Sequence, residues 1–429
     1  MPSALKFLIA ARRCEIHGLE QLALTCELVS GIGQLIHMLQ RERGVSNVYS
    51  ASRGARFIDQ LDSRIADSDA VEAEVRAGFD RLDTESGLLP GGARLFSRIA
   101  AVVHGLDALP ALRDQVRALE LSPEQILEAH TRLIGGLLAV VFEAADSAGD
   151  PDVSRALVAL FNFMQGKELA GQERATVAAG FALGHFDAAR QHRLVHLIDA
   201  QQRCFDIFAE FADPASAAAW RDSLPSADAA DLERLRRMAV SVQAGSTALP
   251  DGSEAWFELA TRRIDAMKLL EDRLAVELLH LAERKTLEAQ SALEDHAALL
   301  AAFASGEAAH AAPVAVFFDT AKPTGEEVSL GDALNAQLGR SILDLVRAQS
   351  RRLQDMGDEL ARARGALAER KIIERAKGVL MKHRDLSEDQ AYRMLRQTAM
   401  DRGKRLVEVA EAVLGFSDFL GDESGTRRR

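Results

Sequence analysis

A chain of 429 residues with 52 Lys and Arg against 64 Asp and Glu is acidic overall, and its ten prolines and 5% aromatic content suit a mainly helical protein of two or three domains. Three cysteines, Cys14, Cys26 and Cys204, lie far apart, which excludes a disulfide framework or a zinc site of paired thiols and fits a reducing, cytoplasmic setting. The most apolar stretches, such as Leu133 to Phe142, fall short of the roughly 20 residues that cross a bilayer, and Arg12 and Arg13 follow the only short apolar stretch at the N-terminus, so neither signal peptide nor membrane anchor is expected.

Residues 1–302 read as one long helical domain. Turns at Pro90 to Gly92, Gly149 to Pro151, Asp213-Pro214 and Pro250 to Gly252 separate segments with helical spacing, which suit long helices packed side by side. Within this region the sequence Arg41-Glu42-Arg43-Gly44 is echoed by Gln172-Glu173-Arg174-Ala175. Two related segments pack naturally about a pseudo-twofold axis. Arg43 and Arg174 would then approach each other, with Gly44, Gly171 and Ala175 allowing close backbones. Like charges in a helical interior call for a compensating anion. Spacing leaves two candidates: a side chain such as Glu42 or Glu173, or a bound ion.

Residues 303–350 form a linker and connecting helix. Ser305 to Gly331 carries Gly306, Pro313, Pro323 and Gly325 around an apolar patch at Val314 to Phe318. A helix through Leu338, Ile342 and Leu345 then leads to Leu353, Met356, Leu360, Ala363 and Leu367, a 3-4 alternation over two heptads that Arg370 breaks. This row suggests a short coiled coil and a possible homodimer.

The last domain, residues 351–425, ends in three short helices. The first stops near His383, Ser387 and Gln390 form a capping-box pattern for the second, Gly403 closes it, and Leu406, Val409, Ala410 and Val413 share one face of the third. Residues 362–429 hold 16 Lys and Arg against 11 Asp and Glu, so a basic module is tethered to an acidic body. Such a body repels nucleic acid and can shield the module. Lys377, Arg396, Lys404 and Arg405 suit phosphate, and Tyr392 is the one aromatic that could stack on a base. Periodicity alone favours a docking or dimerisation bundle. Other chemistry is not supported: His192 and His196 lack the glutamate of a helical zinc motif, Gly166-Lys167-Glu168 lacks the rest of a phosphate loop, and no nucleophile elbow occurs, so the chain is read as no enzyme.

Two resemblances add to this reading. Ile373 to Met381 followed by Leu386 to Arg396, with Ala376-Lys377-Gly378, Leu380-Met381, Ala391-Tyr392 and Leu395-Arg396 at matching spacing, resembles the ANTAR family of RNA-binding modules. Leu39 to Ser46, Gly166 to Ala175 and the segment from Trp256 to Glu271 resemble the NIT family of nitrate- and nitrite-sensing domains, over about residues 30 to 280. The resemblance implies an all-α sensor of two stacked four-helix bundles that holds nitrate or nitrite between helices through Arg41, Arg43, Arg174 and Arg236, with no cofactor. It implies further that the ANTAR-like module binds hairpin loops of a nascent leader RNA through Lys377, Tyr392, Arg396, Lys404 and Arg405, and acts on the transcription elongation complex only indirectly. Another small anion, or a non-catalytic scaffold, are the alternatives.

Overall fold

The structure, a computed structural model, describes residues 2–82, 92–183, 185–223, 225–241, 252–304, 330–384, 386 and 388–421. The described residues are helical and contain no strand. In chain order the helices are α1 (Pro2–Ala51), α2 (Ile58–Asp80), α3 (Gly92–Asp107), α4 (Leu109–Arg117), α5 (Pro123–Ser147), α6 (Pro151–Leu183) and α7 (Ala188–Phe211). They continue with α8 (Pro214–Arg221), α9 (Ser226–Ser241), α10 (Gly252–Ala304), α11 (Leu330–Arg384), α12 (Glu388–Arg402) and α13 (Leu406–Gly421). The all-α expectation therefore holds. Ser305 to Ser329 of the linker with its apolar patch, the cap at Ser387 and the side chains of Leu338, Ile342, Leu345 and Leu353 lie outside the described residues.

Turn chemistry explains where several helices start. Ser122 accepts from Gln125 N while Gln125 Oε1 accepts from Ser122 N, and Pro123 occupies the first turn of α5 where its missing N–H costs nothing. Asp150 and Asp213 cap α6 and α8 directly before Pro151 and Pro214, as the Asp-Pro pairs predict. Each such cap is worth about 1 kcal/mol. Gly403 ends α12 at φ 58°, a left-handed conformation that glycine adopts without a Cβ clash.

Apolar spacing then decides the packing. Ile32, Leu35, Ile36 and Leu39 fall on one face of α1 and are fully buried against α5, α6 and α10, together with Leu137, Val141, Leu157, Val158, Phe163 and Met267. Two smaller clusters flank this centre. One joins the end of α1 to α2, α4 and the start of α5 through Tyr49, Leu61, Ile65, Val116 and Ile126. The other joins the end of α6 to α7, α9 and the start of α10 through Val177, Phe181, Leu194, Leu232, Leu235 and Trp256. The sensor half thus repeats itself, with α1, α2, α4 and α5 answered by α6, α7, α9 and α10.

The expectation that every apolar stretch is too short to cross a bilayer needs correction. Ile9–Ala51, Gly92–Arg117 and Pro123–Ser147 are long and apolar enough by length and composition, because charged residues are spaced widely enough along them to leave an apolar window. In this fold their apolar faces form the protein core.

α11 is one helix of 55 residues that carries the row from Leu338 to Leu367 and continues into the first helix of the C-terminal module. Ala363 and Leu367, from the heptad row, are buried in the sensor's own core, and α11 packs on α6. Farther along, Ala376 and Leu380 meet Ala391, Leu395 and Ala399 of α12 and Val409 and Ala410 of α13 in a separate small core.

Candidate functional site

The Glu-Arg pair occurs once in α1 and once in α6, and its two residues turn toward different neighbours. Glu42 accepts from Arg113 of α4 through Nε at 2.8 Å and Nη2 at 2.9 Å, while Arg113 Nη1 reaches Asp69 of α2 at 2.6 Å. Glu173 accepts from Arg236 of α9 through Nε at 2.6 Å and Nη2 at 2.7 Å, and from Gln201 of α7 at 2.7 Å. Both glutamates are buried. Burial alone would raise their carboxyl pKa values, but the arginines outweigh it, bringing Glu42 down to about 2 and holding Glu173 below its ordinary range. Beside Glu173, burial followed by the charge of Arg236 lowers Arg263 to about 10.

The two arginines repeat one contact and diverge at another. Arg43 donates to Thr131 Oγ1 of α5 at 2.9 Å, and Arg174 donates to Thr261 Oγ1 of α10 at 2.9 Å. Arg43 is also held by both oxygens of Glu168, at 2.6 and 3.1 Å. Among the described residues Arg174 has no ion pair; its guanidinium lies over the half-exposed ring of Phe257, 5.0 Å from the centroid. Burial lowers the Arg174 pKa, the charge of Arg43 lowers it further, and Asp265 acts in the opposite sense. The two guanidiniums therefore feel each other in a low-dielectric setting. Gly171, one turn before Arg174 on α6, lies beside Arg43 Nη2, so the two segments approach each other as the pseudo-twofold reading expects.

Glycine placement is half as expected. A Cβ on Gly171 would come within 3.3 Å of Arg43 Nη2, so this glycine makes room for the guanidinium, whereas a Cβ on Gly44 would meet nothing within 4 Å. Glu42 and Glu173, considered as counter-ions for Arg43 and Arg174, serve Arg113 and Arg236 instead, because the preceding residue on a helix points about 100° away. Arg41 is exposed on α1, and the Arg236 guanidinium is turned to Glu173. Sequence reasoning overlooked Glu168, Thr131 and Thr261. The repeat could have found the threonines: Arg43 and Arg174 stand 131 residues apart, Thr131 and Thr261 130 apart.

Deeper in the same helices, fully buried Lys167 pairs with Glu271 at 2.6 Å, and Lys268 bridges Glu271 and Asp272 at 3.1 and 2.8 Å. Burial, then the charges of Lys167, Lys268 and Arg41, lower the His37 pKa to about 3. Chemically, two adjacent guanidiniums with two hydroxyls and a single carboxylate can hold a small anion, and a planar one fits their forks edge to edge. An acidic cleft lined by Asp150, Asp152, Lys285, Arg351, Asp355 and Glu359, where α11 meets the start of α6, includes none of these arginines.

The C-terminal module rests on the sensor. Tyr392 of α12 is buried between the His196 ring, edge-on at 4.9 Å, and the Arg203 guanidinium, 4.6 Å over its face, both from α7. Arg396 pairs with Asp199 of α7, and Lys377 is buried in a pair with Glu374 at 2.9 Å. Lys404 and Arg405 are exposed; Arg405 reaches Glu369 at 3.2 Å. On α11, Arg370 lies over Phe161 at 4.9 Å and donates to Asn162 at 3.4 Å, both on α6. Two of the five residues assigned to nucleic acid thus face the sensor, two face outward, and Lys377 is buried within the module.

Comparison with known proteins locates both halves. Residues 34–279 match the family described as nitrate and nitrite sensing, NIT, and residues 361–414 match the ANTAR domain. The nitrate regulatory protein of Klebsiella oxytoca is 35% identical over 427 residues, covering 96% of this chain and 95% of that protein. The solved structure of the NasR transcription antiterminator is 34% identical, with a TM-score of 0.59 over 97% of this chain and 100% of that one.

Proposed function

This chain belongs to the family of regulators that join a NIT domain to an ANTAR domain, and from that premise we propose that it is a cytoplasmic, nitrate- or nitrite-responsive transcription antitermination regulator. The anion binds between Arg43 and Arg174, with Thr131 and Thr261 as hydroxyl partners and Arg41 and Arg236 contributing to the surrounding positive field. One observation carries this reading: Arg174 is a partly buried cation that feels a second cation, Arg43, with no ion-paired carboxylate among the described residues. Such an arrangement is unfavourable until an anion arrives. Nitrate cannot be retained by protonation at neutral pH, so fixed guanidiniums are the groups suited to it.

The second half of the proposal concerns output. When released, the ANTAR module binds hairpin loops in a leader RNA, with Lys404 and Arg405 on phosphate, Arg396 and Lys377 beside them and Tyr392 near a base. The contacts of Tyr392 and Arg396 with His196, Asp199 and Arg203 cover part of that face. α6 links the two events, since it carries Arg174 at one level and the Phe161 and Asn162 contacts of Arg370 at another. Linkage requires reciprocity: if nitrate tightens RNA binding, RNA tightens nitrate binding by the same factor.

The experiment is a titration of full-length protein with a two-hairpin leader RNA, with and without saturating nitrate. Nitrate should tighten binding, affinity should fall steeply with salt through counterion release, and Asp199→Lys, which repels Arg396, should raise RNA affinity without nitrate. RNA binding indifferent to nitrate, to salt and to the loop sequence would favour the scaffold alternative.

A further inference from the structure

The Arg43 side of the candidate site is held by a carboxylate of the chain itself. Glu168 occupies both donor positions of the Arg43 fork, at 2.6 and 3.1 Å, and is itself 2% exposed. A carboxylate presents two oxygens in one plane, the same edge that nitrate offers to a guanidinium. An effector that uses that edge of Arg43 therefore has to displace Glu168 or share the fork with it. Displacement does not strand the carboxylate: Gln40 of α1 and Gln172 of α6 donate to it at 2.7 and 2.9 Å, and both amides remain as partners.

Charge counting points the same way. Arg43 and Arg174 together carry two positive charges, and Glu168 removes one. At the position related to Glu168 by the 131-residue repeat stands His37, whose lowered pKa leaves it neutral. Asp265 acts on Arg174 without forming an ion pair with it among the described residues, so Glu168 is the one carboxylate bound to the pair and one further negative charge balances it. A dianion would leave buried charge in excess, which a low-dielectric site penalises.

Resting on the reading of Arg43 and Arg174 as the anion site, we infer that Glu168 is a built-in counter-anion that competes with the effector for Arg43 and restricts the site to a single negative charge. It acts through Arg43 and so is a positioning and selectivity residue. The carboxylate sets the concentration of anion at which the Arg43–Glu168 ion pair between α1 and α6 gives way, with the Gln40 contact retained, and hence the threshold of the response.

The test uses the full chain, with sodium nitrate and sodium sulfate titrated by calorimetry and thermal unfolding followed in parallel. Wild type should bind nitrate and not sulfate. Glu168→Gln should bind nitrate at least tenfold more tightly, should acquire sulfate binding, and should gain more in Tm from saturating nitrate than wild type does. Glu168→Asp, which keeps the charge but draws it back by one methylene, should shift nitrate affinity in the same direction by less, and it answers the question if the Gln variant fails to fold. Wild type that binds nitrate while both variants bind it equally or more weakly would show that Glu168 is only structural. No nitrate binding by wild type or either variant would overturn the anion site itself.

Discussion

The two halves of the sensor use one Glu-Arg pair in nearly the same surroundings and reach different electrostatic states. In the first half Glu42 is bound by Arg113, and Arg43 by Thr131 and Glu168. In the second half Glu173 is bound by Arg236, and Arg174 by Thr261 and the Phe257 face. The glutamates and threonines repeat; the counter-ion of the arginine does not. A repeated arrangement supplies buried ion pairs at both levels, and one departure from the repeat, histidine at 37 where the other half has glutamate at 168, leaves Arg174 without an ion pair among the described residues.

The largest expected effect tests whether Arg113 and Arg236 are equivalent. Each binds its own buried glutamate through two nitrogens, and removing one partner of such a pair costs about 3–5 kcal/mol. Arg113→Met and Arg236→Met should each lower the urea midpoint of the full chain strongly. The comparison sharpens on nitrate affinity measured where both variants remain folded. If Arg236 contributes only to the surrounding field, its variant retains most affinity, as the Arg113 variant does; a loss of a hundredfold at Arg236 alone would place it in contact with the anion and break the equivalence.

The arginines at the centre come next. Arg43→Lys and Arg174→Lys keep the charge and lose the planar fork, so each should weaken nitrate binding about tenfold or more, with the larger loss at Arg174, which has no ion-paired carboxylate to reorganise around a lysine. Calorimetry on both variants decides it. Equal, unchanged affinities would remove the pair from the site.

The Glu-Arg echo and the approach of its arginines were legible in the sequence because helical periodicity and short repeats survive as local patterns. Their neutralising partners were not. Glu168 precedes Arg174 by six residues, but it meets Arg43 of another helix, and that meeting depends on how α1 crosses α6. Tyr392 shows the same limit: in the sequence it is an aromatic suited to stack on a base, and only the fold reveals that α7 of the sensor covers it, through His196 and Arg203. The apparent coiled-coil row was real amphipathicity, with Ala363 and Leu367 spent on the sensor core within the same chain.

A smaller effect, readable by pH, follows from the residue that breaks the repeat. Burial and the charges of Lys167, Lys268 and Arg41 hold the His37 pKa near about 3, against an ordinary 6.5. Unfolded chain takes up this proton as pH falls below 6.5, and folded protein does not, so stability is lost progressively between about 6.5 and 3. Glu42, lowered from 4.5 to about 2, adds its own loss only below about 4.5. Between those pH values the His37 contribution is separable. His37→Gln should flatten the dependence of the urea midpoint on pH between 6.5 and 4.5, and an unchanged slope would mean that His37 is not the group responsible.

The smallest expected effect separates the two glycines that flank the arginines. Gly44 corresponds in the repeat to Ala175, and a Cβ there would meet nothing within 4 Å, so Gly44→Ala should leave nitrate affinity unchanged and stabilise the helix by about 0.5–1 kcal/mol through its lower backbone entropy cost. Gly171→Ala places a methyl 3.3 Å from Arg43 Nη2. The guanidinium then has to withdraw by a few tenths of an ångström from a position fixed by Thr131 and Glu168, and two charge-assisted contacts lengthen together. The same helix-propensity gain applies at both positions, so the difference between the two variants isolates the steric term. A several-fold weaker nitrate affinity in Gly171→Ala alone, at comparable Tm, is the expected result; equal behaviour of the two would mean that Arg43 has room to spare and that the close approach of α6 to Arg43 is incidental to binding.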